Sequence, residues 1–156
     1  MTNGGTGLVI SNYDSGNIFP LLPLLSQEFP NWTIDKIKNY IRLVVSKKED
    51  VAGILVAQNE ALYYVGMLIY TYQTISSELI ENTINGKFSN GIVVENLNAS
   101  SPILQKQVFH LLIENIVNLA KQKNCAFVEL PRFDESYELI KQKYQSQISN
   151  PNNFRV

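Results

Sequence analysis

The sequence predicts a single α/β domain, and three observations carry the prediction. Two segments, 33–46 and 101–120, repeat apolar residues at three- and four-residue spacing, the period of a helix with one buried face. Segments 51–57 and 61–72 are rich in β-branched and aromatic residues around the turn-like Gln58-Asn59-Glu60, the pattern of a hairpin. Strand-like and helical segments alternate along 156 residues, a length that suits one domain burying roughly two-thirds of its unfolded surface.

Residues 1–7 are glycine-rich and polar and predict a frayed terminus. Gly4-Gly5-Thr6-Gly7 has no Lys-Ser/Thr after it and precedes a strand, so it is no phosphate-binding P-loop. A short strand is predicted over 8–13, followed by a helix holding Phe19, Leu21, Leu22, Leu24 and Leu25 that Pro20 and Pro23 should shorten or kink. Thr33 is placed to cap the next helix, whose apolar face reads Ile34, Ile37, Tyr40, Ile41, Val44 and Val45. In the second hairpin strand, Tyr64, Leu68, Tyr70 and Tyr72 should share one face, with Val65, Met67 and Ile69 on the other. A strand apolar on both faces belongs inside a sheet.

A polar connection is expected over 76–90, with Asn85-Gly86 as a turn and room for one helical turn around Leu79 and Ile80. A strand follows over 91–98. Ser100-Ser101-Pro102 supplies a cap and a first-turn proline for the longest helix. Its stripe runs through Ile103, Leu104, Val108, Leu111, Leu112, Ile116, Leu119 and Ala120, and Asn124 can take a left-handed cap at its end. A buried strand over 126–130, a last helix over 135–144 and a polar tail over 145–156, with strand character only at Phe154, Arg155 and Val156, complete the chain.

Composition excludes several function classes. Thirteen Lys and Arg against fourteen Asp and Glu leave a net charge of −1, without the basic excess that phosphate-backbone contact requires, so nucleic acid is not an expected partner. No apolar run approaches the roughly 20 residues of a membrane span. The first basic residue is Lys36, so residues 1–35 lack the positive region that opens a secretory signal, and a cytoplasmic location is expected. The one cysteine, Cys125, begins a buried strand and reads as a core residue. The one histidine, His110, has no second ligand at metal spacing, so no metal site is expected.

The order strand, two helices, three strands, long helix, strand, helix resembles the GNAT superfamily of N-acyltransferases from about Leu8 to Tyr144. Its most specific part runs from Gly91 to Leu130. There a strand, a proline-containing turn, a long helix ending Ala120-Lys121-Gln122-Lys123-Asn124-Cys125 and the strand Ala126-Phe127-Val128-Glu129-Leu130 follow one another in the family's spacing. The resemblance implies a mixed central sheet with flanking helices, and acetyl-CoA or another acyl-CoA held by the central strands and the long helix. Family members usually carry Gln/Arg-x-x-Gly-x-Gly/Ala at that helix start, where glycines let backbone N–H groups reach a pyrophosphate. Here Leu104-Gln105-Lys106-Gln107-Val108-Phe109 stands in that place, and neither glycine is present.

The resemblance also implies site residues. Leu97 and Ala99 would offer backbone groups to the pantetheine arm, and Gln105, Lys106, Gln107 and Val108 would meet the phosphates. Glu95 would be the base that frees an amine, and Tyr137 the acid that protonates the leaving thiolate. Each has a plainer reading: Glu95 as a solvated strand acid, Tyr137 as a packing or surface tyrosine. The polar run Glu95-Asn96-Leu97-Asn98 fits either a β-bulge or a strand that ends early. Two functions stay open, an acyl-CoA-dependent N-acyltransferase acting on a small-molecule or peptide amine, and a catalytically silent module of the same fold that binds a ligand or protein. The tail looks too short to close the sheet, so a homodimer through residues 154–156 or an edge strand is expected.

Overall fold

A computed structural model describes residues 7–15, 17–47, 51–76, 88–130 and 153–155. The elements are β1 (Val9–Asn12), α1 (Leu22–Glu28), α2 (Ile34–Val45), β2 (Ala52–Gln58), β3 (Tyr64–Ser76), β4 (Phe88–Ala99), α3 (Pro102–Gln122), β5 (Phe127–Glu129) and β6 (Asn153–Arg155). They form one six-stranded sheet in the order β1-β2-β3-β4-β5-β6. Every neighbouring pair is antiparallel except β4 and β5, which are parallel. Helix α3 lies between those two strands in the chain, the crossover that a parallel pair requires. The expected last helix over 135–144, the turn at Asn85-Gly86 and the helical turn at Leu79 and Ile80 lie outside the described residues.

Local signals set the helix ends. Thr33 accepts the Lys36 N–H at 3.1 Å to cap α2, and Ser101 does the same for Leu104 at 3.4 Å at the start of α3. At the end of α3, Asn124 takes φ 57°, Cys125 N–H bonds the Ala120 carbonyl at 2.8 Å and Asn124 N–H bonds that of Lys121 at 3.1 Å. These two bonds and the left-handed residue make a Schellman cap. The prolines at 20 and 23 do not kink a long helix. They sit in the first turns of a 3-10 turn, Phe19–Leu21, and of the short α1, where their missing N–H groups have no intrahelical partner to lose.

The sheet separates two apolar clusters. On one face α3 packs Val108, Phe109, Leu112, Ile113, Ile116 and Val117 against Leu68, Tyr70, Ile92, Val94 and Leu97. On the other, α1 and α2 pack Leu24, Leu25, Ile37, Ile41 and Val44 against Ile54, Val56, Met67 and Ile69. Strand β3 is therefore apolar on both faces, as its sequence predicts, but Tyr64 and Val65 stand on the faces opposite to those expected. The cause is an irregularity in register: Ala57 pairs with Gly66 and Gln58 with Tyr64, so Val65 is an extra residue that resets the alternation.

Three further expectations change. Ile103 is 92% exposed instead of opening the α3 stripe, and Ile34 of α2 is likewise exposed. Strands β3 and β4 extend to Ser76 and from Phe88, into the stretch expected to be connection, since each supplies the other's ladder: Thr74 pairs with Asn90 and Ser76 with Phe88. The tail does not leave the β5 edge open, because Phe154 pairs with Val128 and Arg155 with Phe127 in the same chain. Among the described residues, no helix is long and apolar enough to cross a membrane.

Candidate functional site

The site starts from a register change in the middle of β4. Ile69 pairs with Asn96 but Tyr70 pairs with Val94, which leaves Glu95 as the extra residue of a β-bulge. The polar run 95–98 is thus a bulge inside a continuous strand and not its end. Before the bulge Ile92 and Val94 face α3; after it Leu97 and Ala99 do. The bulge puts Glu95 and Asn96 together on the face of α1 and α2, where a regular strand would have sent them to opposite faces.

Polar side chains hold that face in place. Glu95 is exposed, and its Oε1 accepts a hydrogen bond from Thr71 Oγ1 of β3 at 3.0 Å. Asn96 Nδ2 donates to the Tyr40 hydroxyl of α2 at 3.2 Å. Asn98, only 3% exposed, donates from Nδ2 to the Leu24 carbonyl of α1 at 2.6 Å, and Gln27 Nε2 of α1 donates to the Ala99 carbonyl at 3.0 Å. Asn96, Asn98 and Gln27 tie α2 and α1 to the bulged half of β4, and Thr71 ties Glu95 to β3. Asn98 Oδ1 is buried without a hydrogen-bond partner among the described residues.

Tyr40 belongs to an aromatic group. Its ring meets Phe29 and Trp32 edge-on, each at 5.7 Å between centroids, while Phe29 and Trp32 stack at 4.2 Å. Burial, and then the charge of Glu95, push the Tyr40 phenol above its ordinary range, and Glu28 adds to the rise. Sequence reasoning read Tyr40 as one more apolar position of the α2 stripe and missed it. Its unusual feature is a hydroxyl placed beside a carboxylate of another element, which periodicity within one helix does not report.

On the opposite flank of β4 the strands part. Pairing with β5 covers Gly91, Ile92 and Val93, and among the described residues β4 from Val94 to Ala99 has no strand on that side. Leu97 and Ala99 lie along this opening, but both side chains are buried toward α3, so only their backbones can meet a ligand. At the start of α3, Lys106 is exposed and Gln105 and Gln107 are half-buried. Val108 is fully buried over Gly66, where an added Cβ would lie 2.1 Å from Val108 Cγ1, so its side chain belongs to the core. Phe109, in the other expected glycine position, is also core. Pro102 has no N–H to offer, and the Leu104 N–H is already taken by Ser101. Tyr137 lies outside the described residues.

The remaining candidates are quiet. His110 Nε2 lies 3.2 Å from Glu114 Oε2, one turn away on the outer face of α3. Cys125 is buried, and burial raises its thiol pKa, which disfavours the nucleophilic thiolate. No group of three His, Cys, Asp or Glu able to hold a metal occurs among the described residues.

No family model matches the sequence, and no curated protein matches it. Solved structures do resemble the fold. An aminoglycoside 6'-N-acetyltransferase from Acinetobacter baumannii superposes with TM-score 0.62 at 16% identity, covering 89% of this chain and 88% of that one. A GNAT family acetyltransferase from Staphylococcus aureus gives TM-score 0.64 at 11% identity, covering 83% and 90%. A predicted acetyltransferase from Clostridium acetobutylicum, solved with acetyl-CoA, gives 0.63 at 14% identity, covering 92% of each chain. With its bulged central strand, its parting β4 and β5 and its long crossover helix, the chain has the fold of the GNAT acetyltransferases.

Proposed function

We propose that the protein is an acyl-CoA-dependent N-acyltransferase whose acceptor is an amine. The observation that carries the reading is the bulge that sets Glu95, exposed and held by Thr71, beside the stretch of β4 that among the described residues has no strand on its β5 side. Acyl transfer from a thioester requires an amine without its extra proton, donors for the oxygen that gains charge, and a proton for the thiolate. Glu95 can take the proton from the ammonium, directly or through water. Backbone groups of Leu97 and Ala99 would align the pantetheine arm, with Gln105, Lys106 and Gln107 in reach of the phosphates and Tyr137 as the thiolate's acid. The similar Clostridium acetobutylicum structure, solved with acetyl-CoA, supports an acyl-CoA as the second substrate.

One observation favours the second reading, a silent binding module: the α3 start has no glycine, a proline at its first position and one N–H already capped. Calorimetric titration with acetyl-CoA and longer acyl-CoA compounds separates the two. Binding weaker than that of a protein with a glycine loop is expected, because fewer backbone donors face the phosphates. No heat and no thermal shift at millimolar ligand would leave the silent module. A homodimer is proposed only through the outer strands β1 and β6, since the β5 edge is covered; light scattering that gives a monomeric mass at high concentration removes it.

A further inference from the structure

The residue that the acyltransferase reading does not yet use is Tyr40. It is the α2 side chain that reaches β4 beside Glu95, and three independent features fix it. Asn96, next to Glu95 on the same face because of the bulge, donates to its hydroxyl at 3.2 Å. Phe29 and Trp32 hold its ring edge-on at 5.7 Å. Ile37 and Ile41, on either side of it in α2, are buried in the core below. A hydroxyl that accepts from Asn96 keeps its own proton for another partner and a lone pair for another donor.

Glu95 and Glu28 are the acids whose charges act on the Tyr40 phenol. The nearest cation in the aromatic group, Lys36, lies with Nζ 4.3 Å over the Trp32 ring, so that ring is already taken by the protein's own ammonium. An incoming cation is left the side of Tyr40 that faces Glu95. We infer that Tyr40 is a specificity-determining residue of the acceptor site, taking a primary amine in its cationic form between its hydroxyl, its ring and the Glu95 carboxylate. Neutral and anionic analogues of the same shape lack the charge that Glu95 holds and are rejected. The inference deepens the acyltransferase reading and rests on it for the reaction, but not for the binding.

Trp32 makes the binding measurable without turnover, since it is the one tryptophan of the chain and touches Tyr40. Phenethylamine hydrochloride titrated at neutral pH into the full chain should change Trp32 emission saturably, whereas 2-phenylethanol, its neutral analogue, should not. Tyr40→Phe keeps the ring and the core contacts and removes only the hydroxyl. It should weaken the amine response roughly tenfold, as expected for a hydrogen bond to a charged group, and Glu95→Gln should weaken it at least as much. In turnover, Tyr40→Phe should raise KM for the amine while the acetyl-CoA dissociation constant stays put. An equal response to 2-phenylethanol, or an amine response unchanged in Tyr40→Phe, overturns the inference. Acetyl-CoA binding without any amine response overturns it too and leaves the acyltransferase reading standing. An amine response without acetyl-CoA binding sustains the Tyr40 site and removes the transfer reaction.

Discussion

The two flanks of the bulged half of β4 are built to different standards. Toward α1 and α2, Glu95, Asn96, Asn98 and Ala99 each make a polar contact to a neighbouring element, and Tyr40 is held by a hydrogen bond and two rings. Toward α3 and β5, the strand has apolar residues packed into the core and, among the described residues, an opening beyond Val93, and the start of α3 offers few backbone donors. A buried polar group without a partner costs about 1–3 kcal/mol, so the bonds made by Asn96, Asn98 Nδ2 and Gln27 offset much of the cost of placing polar groups there, though Asn98 Oδ1 lacks a partner among the described residues. The investment lies on the flank where an acceptor would bind, and the flank that would grip a nucleotide is ordinary core. On the proposed acyltransferase reading, the contrast predicts selectivity set on the acceptor side and weak affinity for the cofactor.

The largest effect expected from this contrast is kinetic. Glu95→Gln removes the proposed base and keeps the shape, so acyl transfer should fall by about a hundredfold or more, while acetyl-CoA affinity by calorimetry should stay within about twofold, because on the proposed reading the phosphates meet the α3 start and not Glu95. Equal loss of rate and of acetyl-CoA affinity would erase the distinction between the flanks. The reverse test, restoring glycine at the α3 start, is limited by packing. Phe109→Gly would open the core at a cost of about 3–5 kcal/mol, so Gln107→Gly alone is the useful change.

The next effect is on stability and tests how tightly α3 is pressed on the sheet. At Gly66 an added methyl would lie 2.1 Å from Val108 Cγ1 and 3.4 Å from Leu112 Cδ1, inside the contact that sets the height of the helix start. Gly66→Ala should therefore destabilise by about 1–3 kcal/mol, the range for overpacked cores, lowering Tm by roughly 3–10 °C for a domain of this size. Denaturant midpoints within experimental error of the unaltered protein would mean that α3 is free to ride outward.

Features set by neighbours in sequence were legible, and those set by neighbours in space were not. Thr33, Ser101 and Asn124 end their helices through bonds within four or five residues, and each was readable as a cap from its type and place. At Glu95-Asn96-Leu97-Asn98 three polar residues interrupt a central strand, which made a bulge one of two readings, and the pairing with β3 decides between them. The bulge at Val65 was harder to place, because Gly66 marks an irregular strand without saying which residue is extra until the pairing with β2 is known. Pairing also explains β6: three tail residues form a strand only because β5 offers a ladder. Tyr40 fits the apolar stripe of α2, and only the tertiary contact with Asn96 sets its hydroxyl apart.

The smallest expected effect uses pH to compare the flanks again. Tyr40 on the α2 flank and Cys125 at the end of α3 both have pKa values raised, chiefly by burial, from ordinary values of 10.0 and 9.0. Both groups are charged when deprotonated, so over the window above those values the folded state holds more protons than the unfolded one, and stability falls as pH rises. The contribution is fully present below pH 9 for Cys125 and below pH 10 for Tyr40. Loss should thus begin near pH 9 through the thiol and deepen above pH 10 through the phenol, with Tyr13, raised for the same main reason, adding to the second phase. Urea midpoints between pH 8 and 11 check this. Cys125→Ala should flatten the early part of the decline and Tyr40→Phe the later part. A Tyr40→Phe protein that still loses stability as steeply above pH 10 would mean that the phenol is solvated in the folded state, and that the α2 flank is looser than its hydrogen bond to Asn96 implies.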